Sequence, residues 1–151
     1  MSYNNYNRKP EYNSKKEESA TDKFRELGFN PAWITTGATT DMINFADKAA
    51  MFMGEKNLTT SKIRSVYGEI KRIQMKKFEE ERTAFLLLKP KLAYAVGREK
   101  ATSKNCEGIR LFQLIFNECF TRVKDDATYK NFCNLMEALV AYHKVYQKGK
   151  D

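Results

Sequence analysis

Arg64 and Lys71 stand seven positions apart, which at about 100° per helical residue puts them nearly in line on one flank of a helix. Further along, Lys91, Tyr94 and Arg98 recur at i, i+3 and i+7, and Gly97 narrows the surface beside Arg98. Rows of ammonium and guanidinium groups neutralise successive phosphates and steer a polyanion, and a tyrosine between two of them adds a flat face. Lys62, Arg72 and Lys76 fall on the other side of the first helix, where Glu69 dilutes them. Residues 62 to 104 hold 12 Lys or Arg against 5 Glu, a net of +7 out of +8 for the whole chain. The positive charge is therefore placed in one stretch.

Other chemistries find no constellation. The single histidine, His143, has Glu137 six residues earlier on a different helix face and no nucleophile motif beside it. Gly54, Gly97 and Gly108 stand alone, so no glycine-rich phosphate loop exists. Glu79, Glu80 and Glu81 are consecutive and splay around a helix, so they do not converge on a metal. Cys106, Cys119 and Cys133 are separated by 13 and 14 positions at or near apolar positions, which fits buried, reduced thiols and neither zinc nor disulfides. No catalytic residue, metal or cofactor is expected.

The elements that must hold these cations are helices. A chain of 151 residues makes one compact domain, and 42% hydrophobic with 30% charged residues is ordinary for a globular protein. No apolar run is long enough to span a membrane and the N-terminus has no signal-peptide core, so a cytoplasmic protein is expected. Residues 1–21 are polar and aperiodic, with Tyr3, Tyr6 and Tyr12 near Arg8 and Lys9, and read as a disordered arm before a helical domain over 22–151. Around Phe24 to Ile34, Gly28 and Pro31 allow only a short helix and a turn, with Trp33 anchoring it.

Apolar positions at spacings of three and four then predict five helices. The first starts near Thr39 to Asp41 and closes at Gly54, and the second opens at Thr59 to Ser61 and is prolonged by Phe78. The third contains Pro90, where it must kink or restart. The fourth runs from about Asn105 to Val123, and the fifth is capped by Asp125 and Asp126. The expected fold is all-α, a compact bundle of about five helices with a disordered N-terminal arm, and no strand.

Residue pattern alone leaves open a stand-alone basic nucleic-acid-binding module and a helical protein–protein adaptor, and carries no signature of which nucleic acid. At LTTSKIR (58–64), KPKLAYAVGR (89–98) and FCNLMEALVAYHK (132–144) the chain resembles the small subunit of the type III-A CRISPR effector, the Csm complex. The blocks occur in that family's order, and the similarity covers roughly Thr39 to Lys144.

The resemblance implies a non-catalytic all-α subunit that stacks in several copies along guide RNA and target RNA. It would contact the phosphate backbone independently of sequence, beside other subunits of the effector complex, away from any membrane. By position in the matching blocks it adds Lys62 to Arg64 as a basic pair of the second helix, and Lys91 and Arg98 as those flanking the LAYA segment. Together with Lys71 and Tyr94 from the helical spacing, the expected RNA-binding set is Lys62, Arg64, Lys71, Lys91, Tyr94 and Arg98, and Tyr142 and His143 look like bundle or subunit-interface residues.

Overall fold

A computed structural model describes residues 18–103 and 105–147 of the chain. Among them are seven α-helices, one 3₁₀ turn and no strand. Short helices α1 (Ala20–Leu27) and α2 (Ala32–Thr35) come first. Then follow α3 (Thr40–Glu55), α4 (Thr60–Gln74), the 3₁₀ turn Phe78–Glu81, α5 (Arg82–Thr102), α6 (Glu107–Phe120) and α7 (Asp126–Tyr146). The all-α expectation holds, and the five long helices are those that the apolar spacing marks. The count of about five leaves out α1 and α2: the short helix expected before Gly28 is α1, and the expected turn after Pro31 is a second helix of one turn, α2.

Local chemistry sets the ends. Ser19 Oγ accepts from the Asp22 N–H at 3.1 Å to open α1, and Gly28 closes it at φ 75°, a left-handed conformation that favours glycine. Thr39 Oγ1 accepts from Met42 N–H at 3.2 Å, and Asp125 forms a reciprocal capping box with Thr128. Ala20 is fully buried, and its N–H donates to Glu107 Oε1 at 2.7 Å. The expected arm over residues 1–21 is therefore too long at its C-terminal end, and its first seventeen residues lie outside the described ones.

Two other expectations need correcting. Helix α4 stops at Gln74, so Phe78 does not prolong it; Phe78 sits in the 3₁₀ turn, where its N–H donates to Asp126 Oδ1 at 2.7 Å. Gly54 does not close α3 either, since the helix continues to Glu55 and the left-handed residue is Asn57 at φ 71°. What Gly54 supplies is room: a Cβ there would lie 2.6 Å from the Tyr146 carbonyl oxygen. Helix α5 passes through Pro90 without restarting. Pro90 and Leu86 are both on the exposed side, where solvent can take up the carbonyl that loses its N–H donor.

One continuous core joins all seven helices. Helix α7 runs through it, packed on α2, α3 and α4, while α5 lies outside α4 and α6. Phe78, Phe85, Phe116, Phe120, Tyr129 and Phe132 form a ring cluster with centroids 4.7 to 6.0 Å apart. Burying each such ring contributes about 1.5–3 kcal/mol. Trp33 is 3% exposed and packs 4.9 Å from Phe45 and 5.6 Å from Phe29, so it anchors α2 as expected. This packing fixes α4 and α5 side by side and holds their basic flanks.

Candidate nucleic-acid interface

A groove of about 490 Å³ runs between α4 and α5. Lys62 and the hydroxyls of Ser61 and Ser65 come from α4, and Lys91, Tyr94, Arg98, Glu99 and Thr102 from α5. Isoleucines 63, 70 and 73 with Val66 bury one face of α4, and Phe85, Leu88 and Leu92 bury one face of α5. The polar flanks are left pointing at each other across the gap. A neighbouring depression of about 390 Å³ shares Ser65, Lys91 and Tyr94 and continues toward Leu87 and Pro90.

The cations in the groove are not equivalent. Lys62 Nζ donates to Glu99 Oε2 at 2.6 Å and to the Asn57 carbonyl at 3.4 Å. Glu99 is only 9% exposed, so its carboxylate is satisfied chiefly by Lys62. Lys91 and Arg98, both exposed, have no carboxylate within ion-pair distance among the described residues. The Arg98 guanidinium stands 5.9 Å from the ring centroid of Tyr94, which is 69% exposed. Arg72 holds the Glu69 carboxyl below its usual range, and Lys91 adds a smaller push in the same direction. The groove thus offers two open cations, an exposed aromatic face and three hydroxyls.

Arg64 and Lys71 lie elsewhere. They occupy the opposite flank of α4, where Lys71 shares a shallow depression with Gly68, Arg72, Gln74 and Met75. The fold therefore gathers Lys62, Lys91, Tyr94 and Arg98 on one surface and leaves Arg64 and Lys71 off it. Arg72, on the Lys62 side, is tied to Glu69 and Glu81 at 2.9 Å each. Sequence reasoning missed Ser61, Ser65, Thr102 and Glu99. The available signal was Glu99 itself, the one acid within α5, beside the uninterrupted basic run that it balances.

The remaining reactive groups serve the core. His143 is fully buried and its Nε2–H donates to the Leu58 carbonyl at 2.6 Å, which makes it a bundle residue. Burial pushes the Cys133 thiol up to about 11 and moves the Cys119 thiol further in the same direction. No group of His, Cys, Asp or Glu among the described residues could hold a metal ion. Nor is any described helix long and apolar enough to cross a membrane.

The Csm2 Type III-A family model matches residues 37–149, which include α3 to α7 and both walls of the groove. A curated relative, the CRISPR system Cms protein Csm2 of Streptococcus thermophilus, is 35% identical over 120 residues, covering 72% of this chain and 94% of the relative. No solved structure matches. Taken with the all-helical bundle and its one basic stretch, the two matches show that the chain belongs to the Csm2 family, the small subunit of the type III-A CRISPR effector complex.

Proposed function

We propose that this chain is a non-catalytic RNA-binding subunit that acts in the cytoplasm, in several copies side by side along guide and target RNA. Its helical part works as one domain. Lys91 and Arg98 bind phosphates, Tyr94 offers a stacking face, and Ser61 and Ser65 donate to phosphate or sugar oxygens, while the Thr102 hydroxyl donates to the Arg98 carbonyl and is left to accept. None of these contacts reads a base edge, so binding is independent of sequence. The observation that carries the reading is the α4–α5 groove, in which the fold brings two cations without carboxylate partners against an exposed tyrosine. Lys62 is held by Glu99 and serves the groove by shaping its floor. Arg64 and Lys71 contribute a second, weaker basic flank that a longer RNA can reach.

Fluorescence anisotropy with single-stranded RNA, an RNA duplex and a matched DNA duplex, titrated over salt, tests this. Two phosphates per subunit give a slope in log affinity against log salt of about −1.4 on a single strand. Lys91→Glu with Arg98→Glu should abolish binding, and Arg64→Glu with Lys71→Glu should weaken it less. Affinity that is absent, or unchanged by the Lys91 and Arg98 reversal, overturns the proposal and favours a protein adaptor. A preference for one DNA duplex sequence favours a stand-alone DNA-binding module.

A further inference from the structure

Helix α5 is apolar on more faces than its packing uses. Leu86 and Leu87 are each 51% exposed, and Pro90, Ala93 and Gly97 continue an outward stripe at i+4, i+7 and i+11 from Leu86. A helix whose buried and exposed faces are both apolar normally has a neighbour on each. Lysines 89 and 100 border the stripe on one side, Lys91 and Arg98 on the other; the only acid of α5, Glu99, is buried against Lys62. Two such stripes would repel each other, so the stripe calls for an occupant with acids around apolar knobs.

The chain carries that occupant. On the outer face of α3, Ile43, Asp47, Met51 and Glu55 form a line at i, i+4, i+8 and i+12, with Asp47 half-buried and accepting from the Tyr146 hydroxyl; Asp41 is exposed off that line, two residues before Ile43, and Lys48 is the single cation of the helix. Ile43 is 38% and Met51 40% exposed, and they stand about 12 Å apart along the axis. Leu86 and Ala93 are about 10.5 Å apart, close enough for the two knobs to seat along one stripe. Helices α3 and α5 do not pack on each other, and α6 touches both.

We infer that the α5 stripe of one copy docks on the acidic α3 face of the next, with Met51 seated in the recess at Ala93 and Gly97. A contact between two different patches of a subunit is head-to-tail, so it can add copy after copy where a like-with-like contact stops at a dimer. This rests on the reading of several copies side by side and names the surfaces that join them. The α4 side of α5 remains open, so Lys91, Tyr94 and Arg98 still face the groove.

The test separates the two claims. Leu86→Glu with Ala93→Glu breaks only the stripe, and Met51→Lys breaks only the α3 face. Sedimentation of the full chain up to about 1 mM should show wild type growing past a dimer, and each variant alone staying monomeric. An equal mixture of the two variants should form a 1:1 heterodimer and nothing larger, because each retains the half that the other lacks. Both variants alter exposed residues and should keep the wild-type melting temperature. RNA affinity that is absent in wild type, or that survives the Lys91 and Arg98 reversal, would sink the proposed function and leave this inference standing. Wild type that stays monomeric, variants that assemble as wild type does, or a mixture that stays monomeric overturns it; the last two results point to a like-with-like contact or to another subunit on these faces.

Discussion

Replacing Gly54 by alanine tests how closely α3 and α7 cross. The added Cβ would stand 2.6 Å from the Tyr146 carbonyl oxygen, 2.7 Å from its carbonyl carbon and 2.9 Å from its Cβ. Ordinary contacts need about 3.5–4 Å, so the two backbones must part by about 1 Å. Tyr146 cannot swing away freely: its hydroxyl donates to Asp47 Oδ1 at 2.6 Å, and the next residue, Gln147, accepts from Thr60. Overpacking of this kind costs about 1–3 kcal/mol, and alanine regains up to about 1 kcal/mol of helix propensity, less so near a helix end. The net loss of about 1–2 kcal/mol lowers the melting temperature by roughly 2–8 °C for a chain of this size. Gly68→Ala is the matched control, since nothing lies within 4 Å of its Cβ position in the middle of α4. It should raise the melting temperature by about 2–4 °C. Thermal melts followed by circular dichroism read both; a Gly54→Ala protein that melts at or above wild type refutes the close crossing.

Glu99→Gln removes the carboxylate that holds Lys62, and the freed ammonium turns toward the groove. RNA affinity should rise and the salt slope steepen by about 0.7, while Lys62→Gln should leave the slope as it is in wild type; anisotropy over salt distinguishes these. The Asp125 carboxyl is held below its usual range chiefly by the Thr128 N–H, so its share of stability is present above about pH 4 and is lost as the pH falls through the lowered folded-state value. Asp125→Asn keeps an N-cap without that titration, so acid melts of the two proteins should differ by a constant amount above about pH 4 and converge below it. A gap that stays constant to the lowest pH contradicts this coupling.

The five long helices were legible because their apolar positions repeat at three and four over many turns, as in Ile63, Val66, Ile70 and Ile73, all at most 2% exposed. Thr39 and Asp125 announced their helices by side-chain chemistry that acts locally. What failed was whatever depended on a residue far along the chain. Gly54 looked like a stop signal because a distant Tyr146 is invisible from position 54. Ala20 looked like arm because its partner is Glu107. The candidate site divides in the same way: angular spacing correctly set Arg64 and Lys71 on one flank of α4, but only packing decides that the opposite flank faces α5. Lys62 therefore joins Lys91, Tyr94 and Arg98, and arrives already paired with Glu99.

The N-terminus of α4 is capped from far along the chain, where Gln147 Oε1 accepts from the Thr60 N–H at 3.0 Å. About one turn before it, in α7, His143 holds the Leu58 carbonyl in the turn that leads into the same helix. During synthesis, α4 leaves the ribosome some eighty residues before these partners exist, so the helix that carries Lys62 waits with its first turn unsecured. The groove is finished only when α7 closes over that turn. On the RNA-binding reading proposed above, a nascent chain is without a finished groove until it has been made as far as Gln147, just past the end of α7.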